Sequence, residues 1–287
     1  MKIVVSFEGR VRPDSTGFYL LYAFKSMGHE VTHVYPEDIF KIKPSDADLF
    51  IKCDDGIYSP WNPALKPGHY FCIDSHIEVG FRQKIIKEGD FDTVSVVHSQ
   101  GLGVDWGRDD IYWNPVGCDP KIHYVGAKEK KYDGCFIGNF HNGLAGPRIE
   151  ALDAFFRACP TIFFGNRMFQ QMAEIYAESR LVFNRSINGD ANMRVFEALC
   201  SGSCLVTDRV PDLARLGLVD GRDYVGYSSI EELTAATKIL LANDDERERI
   251  AFNGRAAVLE KHTYAHRARA ILENLKLHTQ EKEHVHA

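Results

Sequence analysis

Short apolar runs alternate with stretches of helical periodicity along most of the chain. "KIVVSF" is a buried-strand pattern. "STGFYLLYAFKSMGHE" repeats apolar residues at helical spacing, with Ser15 or Thr16 as the cap and Gly28 as the stop. "VTHVY" is a second strand, so the chain opens with a β–loop–α–β unit whose expected form is a right-handed parallel crossover. "ADLFIKC", "HYFCID" and "TVSVVHS" are further strands, "VGFRQKIIKEG" a helix, and "DIYWNPVGCDPKIH" a loop.

A second series follows. "DGCFIGN", "TIFFGN", "RLVFNRS" and "CLVTD" read as strands. "GPRIEALDAFFRAC" is a helix with Pro147 near its start, where proline is tolerated. "MFQQMAEIYAES", "SIEELTAATKILLAN", "DDERERIAFNGRAAVLEKH" and "TYAHRARAILENLKLH" are helices, and "TQEKEHVHA" is a polar, frayed tail. Two series of alternating strands and helices predict an α/β protein with two parallel sheets. The predicted division is 1–125, 126–265, and a final helix with its tail over 266–287.

Composition narrows the class without changing the fold. The 287 residues are 45% hydrophobic and 26% charged, as in a globular chain able to bury a sizeable core. The net charge of −6 argues against a general nucleic-acid or anionic-membrane binder. The seven cysteines are scattered without C-x-x-C spacing and read as buried reduced thiols. "MKIVVSFEGR" reads as a strand rather than a signal peptide, and no uncharged apolar stretch reaches the ~18 residues of a membrane span. A cytoplasmic location is expected.

The stretch "SINGDANMRVFEALCSGSCLVTD" raises the chemical question. A helix over about 191–200, capped by Asp190 or Asn188 and ended by Gly202, places Arg194 in its first turn. A cation there opposes the helix dipole, so removing Arg194 should cost the ligand-free protein little. An anion at the helix start would resolve the conflict, because free amides, dipole and guanidinium all favour one. Glu197 shares the Arg194 face and can accept from two adjacent hydroxyls, as on a ribose. The alternative is a surface ion pair between them, worth ~0.3–0.5 kcal/mol. Ligands of parallel α/β sheets bind beyond the carboxyl ends of the strands, and three strands end in polar loops: Gly138-Asn139, Gly165-Asn166-Arg167 and Asn184-Arg185-Ser186.

These residues resemble a family. "DANMRVFEALCSGSCLVTD", "NPVGCDPKIH", "DGCFIGN" and the last helices are similar to GT-B glycosyltransferases, closest to the CgeB-like (spore-maturation) group. The resemblance is strong over 128–275 and weaker over 70–120. It implies two Rossmann-like domains, a nucleotide-diphosphate-sugar donor held mainly by the second, no catalytic metal, no further cofactor, and final helices that return to the first domain. The CgeB-like pattern is met by Asp190, Asn192, Arg194 and Phe196-Glu197. Glu197 matches the glutamate that binds the donor ribose in the wider family 4 group. That group has a second glutamate eight residues earlier, where this chain has Gly189. The implied donor site takes in Gly138, Asn139, Asn166, Arg167, Asn184, Ser186, Gly189, Asp190, Asn192, Arg194, Phe196 and Glu197. Arg194 would stabilise the diphosphate leaving group.

In the first half, "FCIDSHIE" sets Asp74 and His76 just after a strand. They are either an acid–base pair or, for Asp74, a helix cap. His98 reads as structural. Arg10 and Arg12 either meet an anionic group or are solvated. "GLGVDWG" lacks the helix that a dinucleotide fingerprint requires, and "DDG" and "RDD" read as turns. The expected activity is metal-independent sugar transfer, with an acceptor that is a glycan, a protein or a small molecule. The rival readings are a sugar-nucleotide epimerase or hydrolase of the same fold, and a non-catalytic nucleotide-sugar-binding protein.

Overall fold

A computed structural model describes residues 1–54, 56–138 and 146–285. The chain forms two compact units, 1–116 together with 264–287, and 117–263.

The first unit contains β1 (Lys2–Ser6), α1 (Thr16–Ser26), β2 (Glu30–Val34), β3 (Leu49–Cys53), β4 (Gly68–Cys72), α2 (Val79–Gly89), β5 (Thr93–Val96) and β6 (Ile111–Trp113). Its sheet has the order β2-β1-β3-β4-β5-β6 and every pairing is parallel. Strands β3, β4 and β5 are buried on both faces, which is why they read as continuous apolar runs. Phe50, Tyr70, Val94, Trp61 and Phe91 pack with Ile85 and Ile86 of α2.

The second unit contains β7 (Tyr132–Ile137), α3 (Gly146–Ala158), β8 (Ile162–Gly165), α4 (Phe169–Ala177), β9 (Ser179–Asn184), α5 (Met193–Ser201), β10 (Cys204–Asp208), α6 (Pro211–Arg215), β11 (Val225–Tyr227), α7 (Ile230–Ala242) and α8 (Asp244–Lys261). Its sheet order is β11-β10-β9-β7-β8, again parallel throughout. Phe136, Phe155, Phe183, Val206 and Leu233 lie in its core.

The last helix, α9 (Tyr264–Val285), lies against α1, with Tyr264 stacked on Tyr19 at 5.0 Å between centroids. Arg267 donates from Nε and Nη2 to the Val116 carbonyl at 3.2 Å.

The units divide earlier than residue 125. Cys118 N donates to the His262 carbonyl at 3.0 Å and Cys118 bridges Thr263, so the chain from Gly117 is tied to the second unit. The "IYW" segment, read as loop, is the edge strand β6, paired with Val94–Val96. The tail read as frayed continues α9 to Val285. All seven cysteines are buried and free. Among the described residues no helix is long and apolar enough to cross a membrane.

Candidate functional site

The strand order of the second sheet reverses between β7 and β9. The chain goes from β7 out to β8 on one side and then to β9 on the other, so the connections leaving the carboxyl ends of these two paired strands run in opposite directions and leave a crevice between them. Arg194, in the first turn of α5, bridges these two ends. Its Nε donates to the Ile137 carbonyl at 2.9 Å and its Nη1 to Asn184 Oδ1 at 2.7 Å. Its guanidinium carbon also stands 4.3 Å from the Phe136 ring centroid. Asn184 is buried and completes the junction by donating from Nδ2 to Thr207 Oγ1 of β10 at 2.9 Å. Gly138 allows this arrangement, because a Cβ there would collide with Arg194 Nη2.

A second arginine, missed in the sequence, stands at the same strand end. Arg148, at the start of α3, is 8% exposed and donates from Nε and Nη2 to the Arg185 carbonyl at 3.0 and 2.7 Å. Burial, and then the neighbouring Arg194 charge, bring the Arg148 guanidinium down to about 10. Among the described residues, neither arginine forms a salt bridge with a carboxylate. Two guanidinium groups therefore converge on the crevice, held by carbonyl oxygens, with the Asp190 and Asp208 charges offsetting Arg148 without an ion pair. Its sequence signal was weak: an arginine beside Pro147 looks like an ordinary exposed residue of a first helical turn.

The loop from Ser186 to Asp190 closes on itself. Ser186 Oγ donates to Asp190 Oδ1 and accepts from Asp190 N at 2.7 Å, while Ser186 N donates to Asp208 Oδ1 at 2.8 Å. Asp190 and Asn188 therefore do not cap α5. Asn192 is the N-cap residue and gives the helix no side-chain cap bond. Its Nδ2 donates to Asn184 Oδ1 at 3.2 Å, and its Oδ1 is buried with no hydrogen-bond partner among the described residues. Gly189 is exposed and left-handed at φ 74°, a backbone state that a glutamate would strain. Glu197 is 5% exposed on α5, while the Arg194 guanidinium turns to Ile137 and Asn184. Phe196 is fully buried with its ring edge on His262, so it packs beneath the crevice rather than lining it.

Asn166 and Arg167 are exposed beyond β8 at the sheet edge, and Arg167 Nη1 turns back to the Asn166 carbonyl at 2.7 Å. Asn139 lies outside the described residues.

On the first unit, the carboxyl ends of β4 and β5 bring Asp74, His76 and His98 together. The carboxylate of Asp74 faces His98, not the residue two places along: Oδ1 is 3.6 Å from His98 Nε2. His76 packs edge-on against His98 at 4.4 Å between centroids. Burial raises the Asp74 carboxyl, but the His98 contact and the Arg82 and His76 charges outweigh it and hold the group below its usual range. Asp74 does not act as the cap of α2, whose N-cap residue is Glu78. Arg10 is paired with Glu8 and Glu37, and Arg12 with Asp14. Asp54 of "DDG" makes the turn, with Oδ1 accepting from Gly56 N at 2.8 Å, and is also half of a buried ion pair with Arg82.

Residues 144–273, from the start of α3 into α9, match the family described as "Glycosyl transferase-like". No curated protein matches the chain in sequence. Solved structures resemble it along nearly their whole length. HepE from Anabaena, in complex with UDP and glucose, superposes with a TM-score of 0.71 at 13% identity, over 96% of this chain and 99% of that one. An alpha-glucosyltransferase in complex with UDP and a 13-mer DNA containing a HMU base gives 0.70 at 10%, with coverage of 96% and 99%. T4 phage BGT in complex with its UDP-glucose substrate gives 0.58 at 15%, again over 96% and 99%. With two parallel α/β sheets and a glycosyl transferase-like sequence across the second unit, the chain has the fold of the GT-B glycosyltransferases.

Proposed function

We propose that the chain is a glycosyltransferase that moves a sugar from a uridine-diphosphate sugar to an acceptor. One observation carries the reading: Arg148 and Arg194 converge on the crevice between β7 and β9, and among the described residues neither is ion-paired, with Asp190 and Asp208 only partly offsetting the Arg148 charge. A diphosphate supplies the remaining negative charge. The structures with UDP and UDP-glucose that share this fold make uridine the first base to test. The amides and dipole at the start of α5 add to the anion site.

As the glycosidic bond breaks, negative charge grows on the diphosphate. Both guanidinium groups are already held by the scaffold, so they need not reorganise to meet it. Glu197 accepts from the ribose hydroxyls, and the buried Asn192 Oδ1 accepts from a hydroxyl of the donor. On the first unit, Asp74 takes up the acceptor proton. The finer assignment is to the CgeB-like group, on the pattern from Asp190 to Glu197. Transfer needs no metal in this reading, and among the described residues no three His, Cys, Asp or Glu side chains gather as a ligand set. Seven buried free thiols suit a reducing compartment, so we place the protein in the cytoplasm.

Calorimetry with UDP, ADP, GDP and UDP-glucose in EDTA tests the donor site. UDP and UDP-glucose should bind saturably, and at ~100 times the dissociation constant stabilise the fold by ~2.7 kcal/mol. Failure of every nucleotide to bind rejects the proposal. UDP release without any acceptor favours the hydrolase or epimerase, and binding without transfer across a broad acceptor panel favours the binding protein.

A further inference from the structure

The loop that presents Asp74 and His76 is held from behind by a buried ion pair. Arg82 of α2 and Asp54, just beyond β3, have side chains 1% and 0% exposed. Arg82 Nε donates to Asp54 Oδ2 at 2.5 Å. Its Nη1 turns the other way and donates to the Ile77 carbonyl at 2.6 Å, with the Glu78 carbonyl at 3.5 Å. Asp54 is oriented in turn by Gly56 N, which donates to its Oδ1 at 2.8 Å. One guanidinium thus spans from the end of β3 to the loop after β4.

We propose that Arg82, oriented by Asp54, is a positioning residue for the acceptor-side chemistry, fixing the 74–78 loop so that Asp74 stands where it can accept a proton. This inference rests on the reading of the chain as a transferase with Asp74 as its base.

Three observations support it. First, a buried ion pair is weak evidence for stability, because desolvation offsets its attraction and an apolar pair of similar volume often serves as well. Retaining charge here calls for another role, and the contact with the loop supplies one. Second, the loop is strained at both ends. Asp74 and Glu78 are left-handed non-glycine residues at φ 46° and 45°, and such conformations persist only where the surroundings impose them. Arg82 grips the Ile77 and Glu78 carbonyls between and at those two points. Ser75 Oγ, in contact with His98 N at 3.3 Å, holds the same loop from the β5 side.

Third, the pair adds to the electrostatic field at the carboxylate, after the larger effects of burial and His98. Asp74 is faced by His98 from beyond β5, by Arg82 from α2, by His76 from its own loop, and by the Asp54 charge from beyond β3. Arg82 favours the Asp74 carboxylate, whereas Asp54 opposes it. Burial raises the Asp54 carboxyl, with Arg82 opposing that rise. Arg82 and Asp54 belong to the first unit, whereas the residues of the donor crevice belong to the second.

The test replaces both partners together, Arg82→Met with Asp54→Leu, so that no unpaired charge stays buried. Urea unfolding, UDP-glucose affinity by calorimetry, a 13C NMR titration of the Asp74 carboxyl and steady-state transfer are measured. The proposal expects a folded protein with unchanged UDP-glucose affinity, an Asp74 titration displaced from that of wild type, and kcat lowered at least ~10-fold. An unchanged Asp74 titration together with wild-type kcat overturns it. If the double variant does not fold, Arg82→Lys decides, since an ammonium cannot span Asp54 and the Ile77 carbonyl together. Wild-type kcat in that variant overturns the proposal, and a ~10-fold loss at unchanged donor KM supports it. If the wild-type chain transfers no sugar, the functional reading fails by itself, and the Asp74 titration still decides whether Arg82 positions the loop.

Discussion

Arg194 Nη1 lies 2.7 Å from Asn184 Oδ1, and this bond joins the start of α5 to the end of β9. With the Ile137 carbonyl and the Phe136 ring it answers the conflict raised by a cation in the first turn of a helix. The protein itself supplies negative partial charge at that point. The anion expected from the sequence is therefore not needed to hold Arg194 in place, and the arginine is preorganised before any ligand arrives.

Arg194→Ala should lower the stability of the ligand-free protein by about 2–3 kcal/mol, because it removes charge-assisted hydrogen bonds and strands two acceptors. The helix dipole taken alone gives the opposite sign, a gain of a few tenths of a kcal/mol. Turnover should fall ~10²–10³-fold, and Arg194→Lys should recover part of it. Melting temperature without ligand and kcat on both variants test this. A melting drop with normal turnover would sink the phosphate role.

Gly138→Ala should disturb the site through Arg194 without touching a ligand. The added methyl would meet Arg194 Nη2 and stand 3.0 Å from the Phe136 ring. Overpacking of this kind costs ~1–3 kcal/mol. UDP affinity should weaken together with stability, whereas Gly138→Ala in an Arg194→Ala background should cost less. Equal losses in both backgrounds in a double-mutant cycle would show that the two positions do not interact.

Glu197→Gln should weaken nucleotide binding, and a 2′-deoxy donor should lose less affinity in the variant than in wild type. Calorimetry with both donors on both proteins measures the difference. Identical losses would reject the ribose assignment.

Stability should fall as the solution is acidified below pH 6.5. His69 is fully buried between Thr93 Oγ1 at 2.8 Å and Ser95 Oγ at 3.1 Å, and burial with the Arg108 charge brings it down to about 3. Burial brings His123 to about 3 as well. In the unfolded chain both protonate near 6.5, so between these values the unfolded state binds more protons and stability rises with pH. Each contributes ~1.4 kcal/mol per pH unit within that window. Urea midpoints at pH 7, 6 and 5 should show the decline, and His69→Gln should reduce the slope by about half. A flat profile in wild type would contradict the neutral assignment.

The order of strands and helices was legible because apolar periodicity is a local property, of period 2 or 3.6, that survives without tertiary contacts. Gly202 ended α5 as read, since a left-handed cap is also a local demand. The edge strands β6 and β11, three residues each, and the five-residue α6 were not legible, because such short elements are defined by their neighbours rather than by their own pattern. The strand order was not written in the periodicity either, and it decides the site. Only when β9 lies beside β7 do Asn184 and Ile137 reach one arginine, and only then does Arg148 meet the Arg185 carbonyl 37 positions away. The same holds on the first unit, where adjacency of β4 and β5 gives Asp74 to His98 instead of to His76. Sequence spacing limits which side chains can share a face of one element. Which faces and strand ends meet is decided by packing, because burying two apolar layers selects one arrangement of the whole sheet.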